Sequence, residues 1–157
     1  MSCSCSSFSA LELSRAAITK RIKATKRLLG ELEQLSENKM AGLKLLVCSQ
    51  CSQQWQTGRE WNFENKEYAF QVPTIKVDAW QAQFYTQPAS WLIYGAVMGD
   101  YLAKNTFEPS DKRCRAAGCE QQALKLSGVC KAHHIEQLQR FGILPKQPSG
   151  RLFAPYI

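Results

Sequence analysis

Cys114-Arg-Ala-Ala-Gly-Cys119, followed by Cys130-Lys-Ala-His133-His134, decides how this chain is read. Three thiols and an imidazole fall close together, and Cys3His is a common tetrahedral zinc set. The chain holds seven cysteines. The remaining four form two short pairs, Cys3-Ser-Cys5 and Cys48-Ser-Gln-Cys51. Seven cysteines with one histidine give eight ligands, two complete tetrahedral sets with nothing left over. The expected metal ligands are therefore Cys3, Cys5, Cys48 and Cys51 for one Zn²⁺, and Cys114, Cys119, Cys130 and His133 for a second. His134 is an open alternative to His133, since only one of the two is needed. Gly118 precedes Cys119 at a place where a turn takes a positive φ easily.

The first set raises a difficulty. Ser9 and Glu12 match a capping box, and Phe8 with Leu13 falls at the positions of a hydrophobic staple. Leu11, Ile18, Ile22, Leu29 and Leu32 then recur at helical spacing, which predicts a helix from Ala10 to about Asn38. A straight helix of that length rises roughly 42 Å and carries Cys3 and Cys5 away from Cys48 and Cys51. Either the chain after it runs back, or the helix breaks near Gly30. Lys20, Arg21, Lys23, Lys26 and Arg27 line one face of this helix, a solvated surface or a phosphate grip.

Beyond Met40-Ala-Gly42, Leu43–Val47 reads as a buried strand leading into the Cys48–Cys51 turn, with Gln53-Gln-Trp55 returning. Glu67–Val72 alternates like a strand and Pro73 ends it. A helix is expected from Pro88, with Trp91, Tyr94, Met98 and Tyr101 as a core stripe and Gly95 and Gly99 allowing close packing. Asn105–Lys112 reads as a loop. A short helix follows Cys130, with Ile135, Leu138 and Phe141 on one face and Gly142 as its stop. The tail from Pro145 carries Leu152, Phe153, Tyr156 and Ile157, which dock on the parent core or on a partner. The whole is an α+β chain divided into 1–108, a helix plus zinc-ribbon-like core, and 109–157, a Cys3His knuckle with short helix and tail, unless both close into one domain.

Composition narrows function. With 45% hydrophobic and 21% charged residues, the chain is of globular type. Its formal charge of +7 falls to about +4 once seven thiolates and two Zn²⁺ are counted, a modest basic surplus. No secretory leader is read at the start. The longest uncharged apolar run, Trp91–Gly99, is about half a membrane span. An odd cysteine count and free thiols point to the cytoplasm. Both metal sets look full, whereas a catalytic zinc keeps an open position. With two histidines in all, no second acid–base pair is available. Walker, GxGxxG and HExxH motifs are absent. The expectation is a protein that is not an enzyme and takes no small-molecule substrate.

Two resemblances follow from these motifs. Cys114 to His134 resembles the small Cys3His knuckle of phage and bacterial zinc proteins, some of them His-Asn-His-type nucleases; the separated histidines of such a nuclease are missing here. Leu43 to Trp55, "LKLLVCSQCSQQW", behind an N-terminal CxC and a helix, resembles small bacterial zinc-ribbon proteins encoded beside polymorphic toxins. That resemblance implies an immunity-type inhibitor that binds a cognate protein toxin. Its candidate contacts are Lys20, Arg21, Lys23, Lys26, Arg27, Arg151, Phe153 and Tyr156. The alternative is a nucleic-acid-binding zinc protein using the same helix with Arg113 and Arg115.

Overall fold

The computed structural model describes residues 2–156. It is a mixed α+β chain with four α-helices and a four-stranded antiparallel sheet among these residues. It divides into two compact units: Met1–Leu92 with Pro148–Ile157, and Ile93–Gln147. The single border expected after residue 108 falls inside the second of these units.

In the first unit, helix α1 spans Arg15–Leu29. Its cap is Ser14, whose side chain accepts from the Ala17 amide at 3.1 Å. The expected Ser9–Glu12 capping box does not form, because Ser9–Leu13 is not helical. The helix stops at Gly30, where a residue without a side chain weakens the next turn. The expected continuation to Asn38 is instead strand β1, Leu32–Asn38. Its leucines satisfy a helical period, but Glu33, Gln34 and Leu35 are exposed, and pairing with the next strand overrides that pattern. The turn into β2, Leu43–Cys48, uses Gly42 at φ 68°, with the Ala41 amide held by Asn38 Oδ1 at 2.9 Å. β3, Gln54–Arg59, and β4, Glu67–Val72, complete a meander in the order β1-β2-β3-β4. β1, an edge strand, carries Glu33 and Glu37, charges that discourage further pairing.

The core lies between this sheet, α1 and the tail. Ile18, Leu45, Tyr68, Phe70 and Trp80 are fully enclosed. α2, Val77–Ala82, brings Trp80, whose indole N–H donates to Gln56 Oε1 at 2.8 Å. Gln56 in turn donates to the Tyr85 carbonyl at 2.9 Å, so this buried amide is satisfied. The tail docks here. Phe153 stacks on Phe70 at 6.2 Å and meets Tyr85 edge-on, and the Tyr156 hydroxyl donates to the Leu11 carbonyl. The Arg151 N–H donates to the Phe84 carbonyl at 2.7 Å, and the Arg151 carbonyl accepts from Thr86 N–H at 3.1 Å. Gly150, at φ 127°, passes so close that an added Cβ would lie 2.7 Å from Thr86 Oγ1. Ile157, expected in this apolar end, lies outside the described residues.

α3, Pro88–Lys104, begins in the first unit and continues into the second. Its aromatic stripe is not the enclosed core expected of it. Trp91 packs half-buried on the first unit's core, and Tyr94, Met98 and Tyr101 are half-buried too. An added Cβ at Gly95 or Gly99 meets nothing within 4 Å among the described residues, so neither serves a close approach here.

In the second unit, β5, Pro109–Arg113, pairs with β6, Gln122–Leu124. β5 replaces an expected loop: four of its five residues are exposed, so no apolar alternation announces it. α4, Lys131–Arg140, follows with Cys130 as its cap residue. Gly142 takes φ 75° just beyond, but Phe141 is exposed and does not join a buried face.

Candidate metal centres

Each expected ligand set converges. The donor atoms of Cys3, Cys5, Cys48 and Cys51 lie within 4.8 Å of one another, and so do those of Cys114, Cys119, Cys130 and His133. Bonds of about 2.3 Å to a tetrahedral zinc place thiolate sulfurs about 3.8 Å apart, so both sets fit that ion in donor chemistry and spacing. The two sets are compatible with binding two zinc ions.

The distance problem at the first set is solved by folding, in two moves. Residues 5–14 run back along α1, so Cys3 and Cys5 arrive at that helix's C-terminal end. The marks of this path are Ser4 bonded to Glu31 at 2.6 Å, Phe8 beneath the Arg27 and Arg21 guanidiniums at 5.9 and 5.3 Å, and the Ser9 carbonyl bonded to Arg21 at 2.8 Å. The register of β1 on β2 then sets Leu32 opposite Cys48, which brings the second pair to the same end.

Local bonds hold each half. Cys5 opens a single 3-10 turn, Cys5–Ser7. Gln71, on β4, donates to the Phe8 carbonyl at 2.7 Å and the Cys5 carbonyl at 3.3 Å. The Cys48–Cys51 turn is closed by Ser52 N–H to the Cys48 carbonyl and by Cys48 N–H to the Gln53 carbonyl, each 2.9 Å. Amides of Cys51 and Gln50 donate to the Cys48 sulfur and bring its pKa down to about 7. Burial first, then the neighbouring thiols of Cys48 and Cys51, push the Cys5 thiol well up, and the nearby Trp55 indole N–H opposes them. That N–H is buried and forms no hydrogen bond among the described residues. Cys51 is the exposed member of the set.

In the second set, Nδ1 of His133 lies 3.2 Å from Cys130 Sγ and 3.4 Å from Cys114 Sγ, and Cys119 Sγ lies 3.9 Å from Cys130 Sγ. His133 is placed by the first turn of α4. Nε2 of His134 pairs with the Tyr101 hydroxyl at 3.1 Å, and the imidazole among the converging donors is that of His133. The loop carrying Cys114 is tied by Arg115 N–H to the Gly128 carbonyl and by Cys114 N–H to the Gln121 carbonyl. Gly118 takes φ 75° before Cys119, and Gly128 leaves room for the Arg115 guanidinium. Burial pulls the Cys114 thiol up, but amides of Cys130 and Ala116, with Cys119 and His133, outweigh it and bring it to about 6. Bonds to Cys130 and Cys114 raise the His133 pKa.

The proposed contact residues divide. Lys20, Lys23, Lys26 and Arg27 are exposed on α1, as are Arg113 and Arg115 elsewhere. Arg21 is not available: it is buried, bonded to the Ala69 and Ser9 carbonyls, and desolvation lowers its pKa. Phe153 and Tyr156 are core residues, and Arg151 is half-buried with Nη2 on the Ala79 carbonyl at 3.3 Å. Sequence reasoning missed Gln71, Trp55 and the Ser4–Glu31 pair as supports of the first set. Only Trp55, four residues beyond Cys51, carried a local signal. No helix among the described residues is long and apolar enough to cross a membrane. Compared with protein-family models, curated proteins and solved structures, the chain matches none.

Proposed function

We propose that this chain is a non-enzymatic, zinc-stabilised binding protein of the immunity-inhibitor class, which holds a cognate polypeptide toxin in an inactive complex. One observation carries the structural role of the metals: four protein donors converge at each set. A zinc held there has no open position for water or substrate. Its chemistry at each site is cross-linking, tying the N-terminal segment to the β2–β3 turn in one case and the Cys114 loop to α4 in the other. The zinc-ribbon resemblance of Leu43–Trp55 supports the inhibitor class, as do the unpaired cations on α1. The free thiols of all seven cysteines suit the reducing cytoplasm. Neither a membrane nor a small-molecule substrate has a part in this reading.

Co-expression with the reading frames beside its gene tests the class. One of those products should co-purify with this chain and lose its toxicity. If every neighbour is harmless alone or stays toxic in its presence, the inhibitor reading fails.

A nucleic-acid-binding role is the second reading, favoured by Lys20, Lys23 and Lys26, exposed cations outside the salt bridges among the described residues. Binding of DNA or RNA that weakens steeply as salt rises would support it. No mobility shift at low salt would end it.

A further inference from the structure

A groove of about 640 Å³ runs between α1 and residues 7–14, which lie antiparallel to it. Its α1 wall carries Ala16, Ala17 and Ala24, with Lys20 and Arg27 at the rim. α1 holds six cations and no acid in fifteen residues. Arg21 is buried and Arg15 is bonded to the Asn62 carbonyl. Lys20, Lys23 and Arg27, at i, i+3 and i+7, stay exposed on one face, and none of them forms an ion pair among the described residues.

The facing wall adds an independent feature. The carbonyls of Phe8, Ser9 and Leu11 are taken by Gln71, Arg21 and Tyr156. The amide N–H groups from Ser9 to Leu13 donate to no acceptor among the described residues. A non-helical stretch with three carbonyls tied to the core and five amides free, beside exposed cations, is a receptor for anionic acceptors.

We infer that this groove binds an acidic polypeptide segment in extended conformation, its carboxylates meeting Lys20 and Arg27, with Lys23 adding positive charge beside the groove, and its backbone carbonyls meeting the free amides. The alanines let a main chain approach closely. A polypeptide suits the groove better than a nucleic acid for two reasons. A single-stranded nucleic acid needs aromatic faces on which to stack bases, and the only aromatic ring lining the groove, Phe8, already lies under two guanidiniums and against Trp55. Glu12, on the rim, repels a chain that carries a phosphate at every residue, whereas a polypeptide can place an uncharged side chain opposite it. The inference rests on the binding-protein reading and names the surface and the chemistry of its partner.

Fluorescence polarisation tests it on the zinc-loaded chain. The probes are a labelled Glu/Ser peptide, the same peptide with Gln for Glu, and labelled oligo-dT. The Glu/Ser peptide should bind at low salt and the Gln peptide should not. Lys20→Glu with Arg27→Glu should weaken binding by at least about tenfold, while Lys146→Glu leaves it unchanged. Zinc content and melting temperature establish that both variants fold. No binding of the Glu/Ser peptide overturns the inference. So does equal weakening by Lys146→Glu, or tighter binding of oligo-dT. If the double variant still captures the toxin found by co-expression, the groove is wrong and the inhibitor reading stands. If no toxin is found but the peptide binds the groove, the groove stands and the inhibitor reading falls.

Discussion

His134 Nε2 meets the Tyr101 hydroxyl at 3.1 Å, while its neighbour His133 presents Nδ1 to Cys130 at 3.2 Å. The two histidines therefore answer to different changes. His133→Ala should bind one zinc fewer than the wild type by elemental analysis, since three thiols and no imidazole remain at the second set. His134→Ala should keep full zinc content and lose about 1 kcal/mol of stability with the Tyr101 bond. Equal zinc loss in both variants would put the ligand assignment in error.

Acid should release zinc from the second set. Metal binding requires the thiolate, and Cys114 holds its proton loosely, at a pKa near about 6. A depressed thiol pKa keeps the thiolate present at neutral pH, and protons compete only below that value. Bound zinc holds the proton off further, so half-release, followed with a zinc-sensitive dye, is expected below pH 6.

Trp55→Phe isolates the indole N–H while keeping an aromatic ring in the core. The indole N–H that opposes the rise of the Cys5 pKa is lost, the Cys5 thiolate becomes more basic, and zinc offered to the first set should pass to a chelator several-fold faster, about the effect of losing an outer-shell partner. The second set serves as the internal control. Unchanged transfer kinetics would show that this N–H does not support the metal.

Burial raises the Glu60 carboxyl pKa, against the bond from Ser90 at 3.1 Å. A carboxyl with a raised folded-state pKa favours the fold when protonated, and this advantage is lost as pH climbs through that pKa. Glu60→Gln should therefore melt higher than wild type at neutral pH. The gain should shrink as pH falls toward the ordinary carboxylate range. A variant that melts lower at pH 7 would show that Ser90 and the charge together stabilise the fold.

Phe153→Ala removes a ring set between Phe70, Tyr85 and Tyr156. Large-to-small changes of this kind cost about 3–5 kcal/mol, read as a shift in the denaturant midpoint. A loss well under 1 kcal/mol would mean the tail is only loosely seated.

The two donor clusters were legible because thiols and imidazole have few other reasons to gather at these spacings. β4 and the start of α3 were legible from alternation and from Pro88. The stretch from Leu32 to Asn38 misled because leucines at helical spacing also satisfy an edge strand, where only the partner's register decides. Ser9 and Ser14 both read as caps, and the choice between them depends on Arg21 claiming the Ser9 carbonyl from inside the core. Arg21 itself looked like one more surface cation. Its burial depends on Ala69, forty-eight positions away, a relation that no local pattern encodes.

The tail has a consequence for how the chain is made. Phe153 and Tyr156 fill a core whose other members all precede Leu92. During synthesis that core stays open until the whole of Ile93–Gln147 has emerged. The second unit is thus an excursion inserted within the first, and its own four donors, all between Cys114 and His133, are translated before the first unit can close. The donors of the later set therefore leave the ribosome ahead of Phe153 and Tyr156, and a zinc offered to them would meet a complete set before the earlier core can close.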